Sequence, residues 1–304
     1  MKKFLFILLG LILLSLVWFL FIKEYDYRFH FQADYSPAVV KRELQDLGTY
    51  EIFNATPKIS NLHSDQFSEL KQEIDFRNNR LDLSWELEQE EDSLTDIYLH
   101  IAGPDKIKNR LSILNPFAES NYIDSLKTSF SKLGKGLIEK QKLYRIHIED
   151  TISFSPSLDC VCKPAENIKI ENKASQMVRD IQYLEDFVMI HELKLTGFPF
   201  LKIKRWDREN DVIDFDFCFP INLAQDIRPN SFVEFQQFPS STSLKAIYNG
   251  NYRISDIAWY ELIYEAKKRN LRTTELPIEI FQDNPKEGVD ALSWKAEIYL
   301  PISE

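Results

Sequence analysis

Apolar residues fill positions 4–22 with Ser15 as the polar exception, from Phe4-Leu5-Phe6-Ile7 to Leu20-Phe21-Ile22. As a helix, a run of this length just spans a hydrocarbon core. Its last residues, Val17-Trp18-Phe19-Leu20-Phe21-Ile22, offer no small-residue cleavage site, and no Cys follows for lipid attachment. Residues 1–23 are therefore expected to form an uncleaved single-pass transmembrane anchor. Lys2 and Lys3 favour an inside N-terminus with the remaining domains outside the cytoplasm, while Lys23 and Arg28 weigh the other way.

Beyond the anchor the pattern alternates. Tyr25 to Gln32 reads as a strand, and Ser36-Pro37 as a helix start with a capping hydroxyl and Pro at the first position. Val39, Val40, Leu44 and Leu47 give that helix one apolar stripe, and Gly48 ends it. Strands are expected near Lys71–Phe76, Arg80–Glu88 and Asp96–Ile101, broken by Arg77-Asn78-Asn79 and Gln89-Glu90-Glu91-Asp92. Pro116 opens a long helix to about Lys142, with Ile123, Leu126, Phe130, Leu133 and Leu137 at helical spacing. Strand, helix, antiparallel strands and a long helix fit a curved sheet gripping a helix.

From about Leu158 the rhythm doubles. Leu158–Lys163, a helix from Ala174 striped by Met177, Ile181, Leu184 and Val188, and strands near Gly197–Lys204 and Val212–Pro220 make one half. Ser243–Tyr248, a helix carrying Ile254, Ala258, Leu262 and Ala266 that Asn270 can close, and strands near Pro277–Gln282 and Ser293–Leu300 make the other. The halves close alike: Phe215-Asp216-Phe217-Cys218-Phe219-Pro220-Ile221 matches Ala296-Glu297-Ile298-Tyr299-Leu300-Pro301-Ile302, with Asp216 and Glu297 at the same offset. An internal repeat of this kind predicts two similar units side by side. The expected fold class is α+β: a transmembrane helix, a helix-grip antiparallel domain over 24–150, and a duplicated strand-helix-strand-strand domain over 151–304. That last domain would carry one antiparallel sheet, both helices on one face and a concave opposite face.

Composition narrows the chemistry. A net charge of −10 and a pI near 5.2 argue against nucleic acid as a partner. Only 8 Gly, no Gly-rich phosphate loop and no dense Cys/His cluster argue against nucleotide or metal sites, so no cofactor is expected. Of the three cysteines, Cys160 and Cys162 share a strand face and are poorly placed to bridge each other. A bridge from one of them to Cys218 is open if the two strands are adjacent; the favoured reading is three small buried side chains.

The 25–145 pattern, with its Ser36-Pro37 helix entry, resembles the polyketide-cyclase/START-like (SRPBCC) helix-grip family, which implies an apolar ligand between sheet and helix. Residues 158–304 resemble the GyrI-like, or effector-binding, domain. The resemblance rests on Tyr248-Asn249-Gly250-Asn251-Tyr252, the following helix, Asn284-Pro285, and the closing Glu297-Ile298-Tyr299-Leu300-Pro301-Ile302. It implies a small-molecule cleft with an acidic residue on the last strand, here Glu297. A carboxylate among aromatics suits a cationic or amphipathic organic ligand. Period-two geometry puts Tyr299 on the face of Glu297, and Trp294, Ala296 and Ile298 on the other; Asp216 pairs with Cys218, and Phe217 joins the helix side. The ligand-binding set expected is Glu297, Tyr299, Asp216 and Tyr248, with Trp206, Phe217 and Trp294 also weighed as walls. The expectation is a membrane-tethered small-molecule binder. A hydrolase with Glu297 as general base, and a module that binds a protein partner, are the alternatives.

Overall fold

The computed structural model describes residues 2–45, 59–64, 67–76, 79–89, 94–103, 107, 109–111, 121–222, 232–285 and 289–303. The chain is α+β and divides into two compact units, Met1–Lys140 and Gln141–Glu304.

The first unit opens with helix α1 (Lys2–Val17), continued by a π-helical turn over Trp18–Ile22. Residues Lys3–Ile22 are long and apolar enough to cross a membrane, and most of the large apolar side chains along them are exposed. The helix end is not left open. Buried Arg110 donates to the carbonyls of Phe19 (3.2 Å), Leu20 (3.0 Å) and Lys23, and its Nε donates to Asp26 Oδ1 at 2.9 Å. The other Asp26 oxygen accepts from the Gly103 amide and the Asn109 side chain. One guanidinium thus satisfies orphan carbonyls at the end of the apolar helix and ties it to the sheet that follows.

That sheet has five antiparallel strands: β1 (Tyr27–Ala33), β2 (Ile59–Ser64), β3 (Glu69–Phe76), β4 (Asn79–Gln89) and β5 (Thr95–Ala102), in the order β1-β5-β4-β3-β2. Strand β2 carries no clear apolar alternation in the sequence and was not expected. Helix α2 (Pro37–Gln45) starts as the sequence implies, with Ser36 Oγ accepting from the Val39 amide; Val39, Val40 and Leu44 are fully buried. Leu47, Gly48, Pro116 and the polar breaks at 77–78 and 90–92 lie outside the described residues, as does the side chain of Ile123. Helix α3 (Asn121–Gln141) buries Leu126, Phe130, Leu133 and Leu137. The Phe130 ring sits 5.5 Å from Phe29 and 6.1 Å from Trp85, so the helix packs on the sheet face. Trp85 is core: its Nε1 donates to Gln72, whose amide donates to the Leu44 carbonyl.

The second unit is built on a nine-stranded sheet. Its strands are β6 (Tyr144–Ile148), β7 (Ser153–Phe154), β8 (Leu158–Lys169), β9 (Phe200–Asp207), β10 (Val212–Pro220), β11 (Glu234–Phe238), β12 (Thr242–Gly250), β13 (Ile278–Phe281) and β14 (Lys295–Pro301). The order is β11-β8-β10-β9-β13-β14-β12-β6, with β7 beside β12. The inner six strands read as two mirrored triplets meeting at β9–β13. Helix α4 (Lys173–Ile190) lies on β8 and β10, and α5 (Ile257–Lys268) on β12 and β14. The doubled Pro-Ile has a structural meaning. Ile221 bridges Leu195 and Ile302 bridges Thr273; the Thr196 amide donates to the Pro220 carbonyl as the Thr274 amide does to Pro301. Each helix also ends on a left-handed residue, Glu192 (φ 54°) and Asn270 (φ 53°). The outer strands β6 and β11 lie beyond the two expected halves, and β6 begins before residue 151.

Between the helices and the sheet sits a fully buried ion pair. Lys173 Nζ is 3.3 Å from Glu279 Oε2, 2.7 Å from Ser255 Oγ, and 4.6 Å from the centre of the Trp259 ring. Burial pushes the Glu279 carboxyl above its ordinary range, with Lys173 opposing that shift. Removing one partner leaves the other charge without compensation, so Lys173→Met is expected to destabilise the second unit by about 3–5 kcal/mol. The double variant Lys173→Met/Glu279→Leu recovers most of that loss. Urea-unfolding midpoints of the two variants check both statements.

Candidate functional site

The face of the large sheet opposite α4 and α5 carries the chemistry. Cross-strand register sets its rows. One row runs Cys162, Cys218, Phe200, Ile280, Glu297, Ile247 across β8, β10, β9, β13, β14 and β12. The next runs Asp216, Lys202, Ile278, Tyr299, Lys245. Cys160, Cys162, Phe200, Cys218, Phe238, Ile278, Ile280 and Tyr299 form a buried cluster here, a second core opposite the helices.

Glu297 borders that core. Its Oε2 accepts from the Tyr299 hydroxyl at 2.9 Å, and its Oε1 lies 3.3 Å from Lys245 Nζ and 3.5 Å from Lys295 Nζ. Lys245 also pairs with Glu149 at 3.1 Å, whose other oxygen accepts from Ser153. Burial raises the Glu297 carboxyl, but the Tyr299 hydrogen bond and the lysine charges outweigh it and hold the group below its ordinary range. Burial, then the hydrogen bond to Glu297, pushes the Tyr299 phenol up to about 12, so it stays a protonated donor.

Asp216 occupies the matching place in the first half. It is buried, pairs with Lys204 at 2.8 Å, and accepts from Gln236 at 3.2 Å. Strands β9 and β13 stand between Asp216 and Glu297, a separation of three strand spacings, about 14 Å. The two carboxylates therefore share a face but form no pair. Lys202, opposite Asp216 on β9, has its Nζ 4.1 Å from the centre of the Phe238 ring, and burial lowers its pKa.

Tyr248 corrects the expected ligand-binding set. It pairs in register with Ala296, not Glu297, and so points to the helix side. It is fully buried, stacks on Tyr144, and donates to the Asn251 carbonyl at 2.8 Å. Gly250 (φ 157°) makes this possible: a Cβ there would stand 2.6 Å from the Tyr248 hydroxyl. The Tyr-Asn-Gly-Asn-Tyr motif is a packing device in this chain. Trp206 is also on the helix side, with its ring 5.4 Å from Trp259 and 5.0 Å from Tyr260. Phe217 is helix-side core as expected, and Trp294 contacts Tyr252.

The cysteines bring a second correction. Cys162 and Cys218 are joined in a disulfide between β8 and β10, and Cys160 remains a free buried thiol. The reading of three independent small side chains falls because β8 and β10 are direct neighbours, with Cys162 opposite Cys218. Sequence reasoning missed Lys245, Lys295, Lys202 and Glu149. Lys295 was findable, since it lies two residues before Glu297 on the same strand. The others depended on pairings between distant segments.

No protein-family model matches the chain, and no curated protein matches it. Solved structures do. The C-terminal domain of EcmrR shows 20% identity, covering 53% of this chain and 99% of that chain, with a TM-score of 0.43. EcmrR in a complex with DNA shows 21% identity over 65% of this chain and 70% of that chain, with a TM-score of 0.44. A hydrolase from Listeria innocua shows 15% identity over 55% and 98%, with a TM-score of 0.35. At these scores the likenesses carry no activity or ligand across to this chain.

Glu297 is expected to titrate below a free carboxylate, and Tyr299→Phe to move its titration upward. The sign for stability follows from a lowered folded-state pKa. Its contribution is present above the unfolded value, about 4.3, and is lost as pH falls through the folded value. Side-chain NMR titration of Glu297, with urea unfolding at about pH 7 and about pH 3, measures both.

Proposed function

We propose that this chain is a membrane-tethered small-molecule-binding protein. In this reading residues 4–22 are the anchor, with the domains on the extracytoplasmic side. Residues 24–150 form an SRPBCC-like helix-grip module and 151–304 a GyrI-like ligand-binding domain. The observation that supports it is the Glu297–Tyr299 pair: a carboxylate kept ionised at the border of an aromatic and aliphatic cluster, on the sheet face opposite α4 and α5. The cluster beside it is buried, so an amphipathic organic ligand would enter by displacing some of these side chains, with Glu297 as its counter-charge.

The geometry also shapes the ligand. Lys245 and Lys295 already neutralise Glu297, so a ligand cation must exchange with them. The gain from that exchange is small. The apolar body of the ligand must then supply most of the affinity, at about 25 cal/mol per Å² buried. The hydrolase alternative draws less support, because a carboxyl held below its ordinary range is a weak general base.

A thermal-shift screen of the detergent-solubilised full chain against cationic, amphipathic and neutral apolar compounds tests the reading. A stabilising compound is expected, and Glu297→Gln is expected to remove most of the shift while leaving the unliganded melting temperature within a few degrees. Absence of any shift, or a shift indifferent to both Glu297→Gln and Tyr299→Phe, would count against a ligand at this face.

A further inference from the structure

The sheet face of the second unit opposite α4 and α5 holds three sulfur atoms that neither the fold nor the ligand reading uses together. Cys160 and Cys162 sit two residues apart on β8 and point the same way; Cys218 lies opposite Cys162 on β10. All three are fully buried, and their sulfurs lie within 4.8 Å of one another. Cys162 and Cys218 are bonded, while the Cys160 Sγ is 3.3 Å from the Cys162 Sγ and in contact with the Gln236 carbonyl. A free thiol against a disulfide, at the same strand crossing, is a donor set that the oxidised bond keeps incomplete.

We propose that reduction of the Cys162–Cys218 bond turns Cys160, Cys162 and Cys218 into a three-thiolate site for a soft, thiophilic cation. The geometry suits it. Sulfurs bonded at about 2.3 Å to one metal stand roughly 4 Å from each other, and these three already lie within 4.8 Å of one another. Thiolate donors select soft or borderline cations such as Cu(I), Zn(II) and Cd(II) over Mg(II) or Ca(II). The electrostatics agree. Asp216 lies on the same face, two residues before Cys218 on β10. Three buried thiolates beside a carboxylate need a bound cation to exist at all, so metal binding and thiol deprotonation occur together.

The steps balance. A dithiol reductant gives two electrons and two protons to the Cys162–Cys218 bond and is itself oxidised to a disulfide. The three thiols then release their protons as three sulfur–metal bonds form. A disulfide oxidant reverses the sequence: it takes two electrons from the Cys162 and Cys218 thiolates and, with two protons from solvent, leaves as two thiols, while the S–S bond re-forms, Cys160 takes back a proton and the cation departs. Disulfide and metal site use the same two atoms and exclude each other, so the redox state of this pair gates the site.

The test uses the full chain in detergent, reduced with excess dithiothreitol and freed of it anaerobically, beside the oxidised chain. Both are titrated with Cd(II), with thiolate-to-metal charge-transfer absorbance as the signal. The expected result is one Cd(II) per reduced chain and none per oxidised chain. Reduced Cys160→Ser is expected to bind on the order of a hundredfold more weakly. Oxidised Cys160→Ser retains the disulfide and should melt with the wild type, which controls for folding; Cys218→Ser removes tight binding in either redox state. The proposal is overturned if reduced wild type and reduced Cys160→Ser bind alike, or if the oxidised chain binds as tightly as the reduced one. It is equally overturned if circular dichroism shows that reduction melts the second unit without any tight Cd(II) site.

Discussion

The second unit depends on one strand pairing, that of β9 with β13. Ile278 opposite Lys202, Glu279 opposite Leu201 and Ile280 opposite Phe200 join two halves that would each leave a sheet edge open. Because the halves repeat the same order of elements, joining them edge to edge puts both helices on one face. The opposite face is then continuous across the junction. The mirrored triplets, the paired Pro-Ile closures and the equivalent positions of Asp216 and Glu297 all follow from that seam.

The two faces use charge in different ways. On the helix side, Lys173 and Glu279 are sealed together at full burial, where their value lies in mutual compensation more than in net stability. On the other face, the charges form a graded border. Glu297 is shared among Tyr299, Lys245 and Lys295, and Asp216 between Lys204 and Gln236. Aromatic and aliphatic side chains fill the space between these groups. A carboxylate on this face can stay ionised at modest cost because each one has a donor in place.

The first unit solves a different problem. An exposed apolar helix must be connected to a folded domain without leaving its last carbonyls bare. Arg110 and Asp26 do this with one buried, fully hydrogen-bonded pair that links the helix end to the loop after β5. The sheet behind it is closed by Phe130 and its neighbours on α3, whose spacing is that of a helix with a single buried stripe.

Much of this was legible in the sequence because it is local. Alternation and helical spacing disclosed most of the elements within a few residues, Asn270 as a helix end, and the sharing of a face by Glu297 and Tyr299. The internal repeat disclosed the two halves before any contact was known. What the chain could not disclose alone were relations between distant segments. Strand β2 is polar, and β6 and β11 lie outside the repeat, so their partners are set by open sheet edges and not by their own pattern. Tyr248 was misassigned because a Tyr-Gly turn looks alike whether its ring faces the ligand side or the helices; the register of β12 against β14 decides. The disulfide, the lysines around Glu297 and the three gathered sulfurs likewise arise from pairing. Local pattern fixes which way a side chain points relative to its own strand. Only the tertiary structure decides which side chains from other strands it meets there.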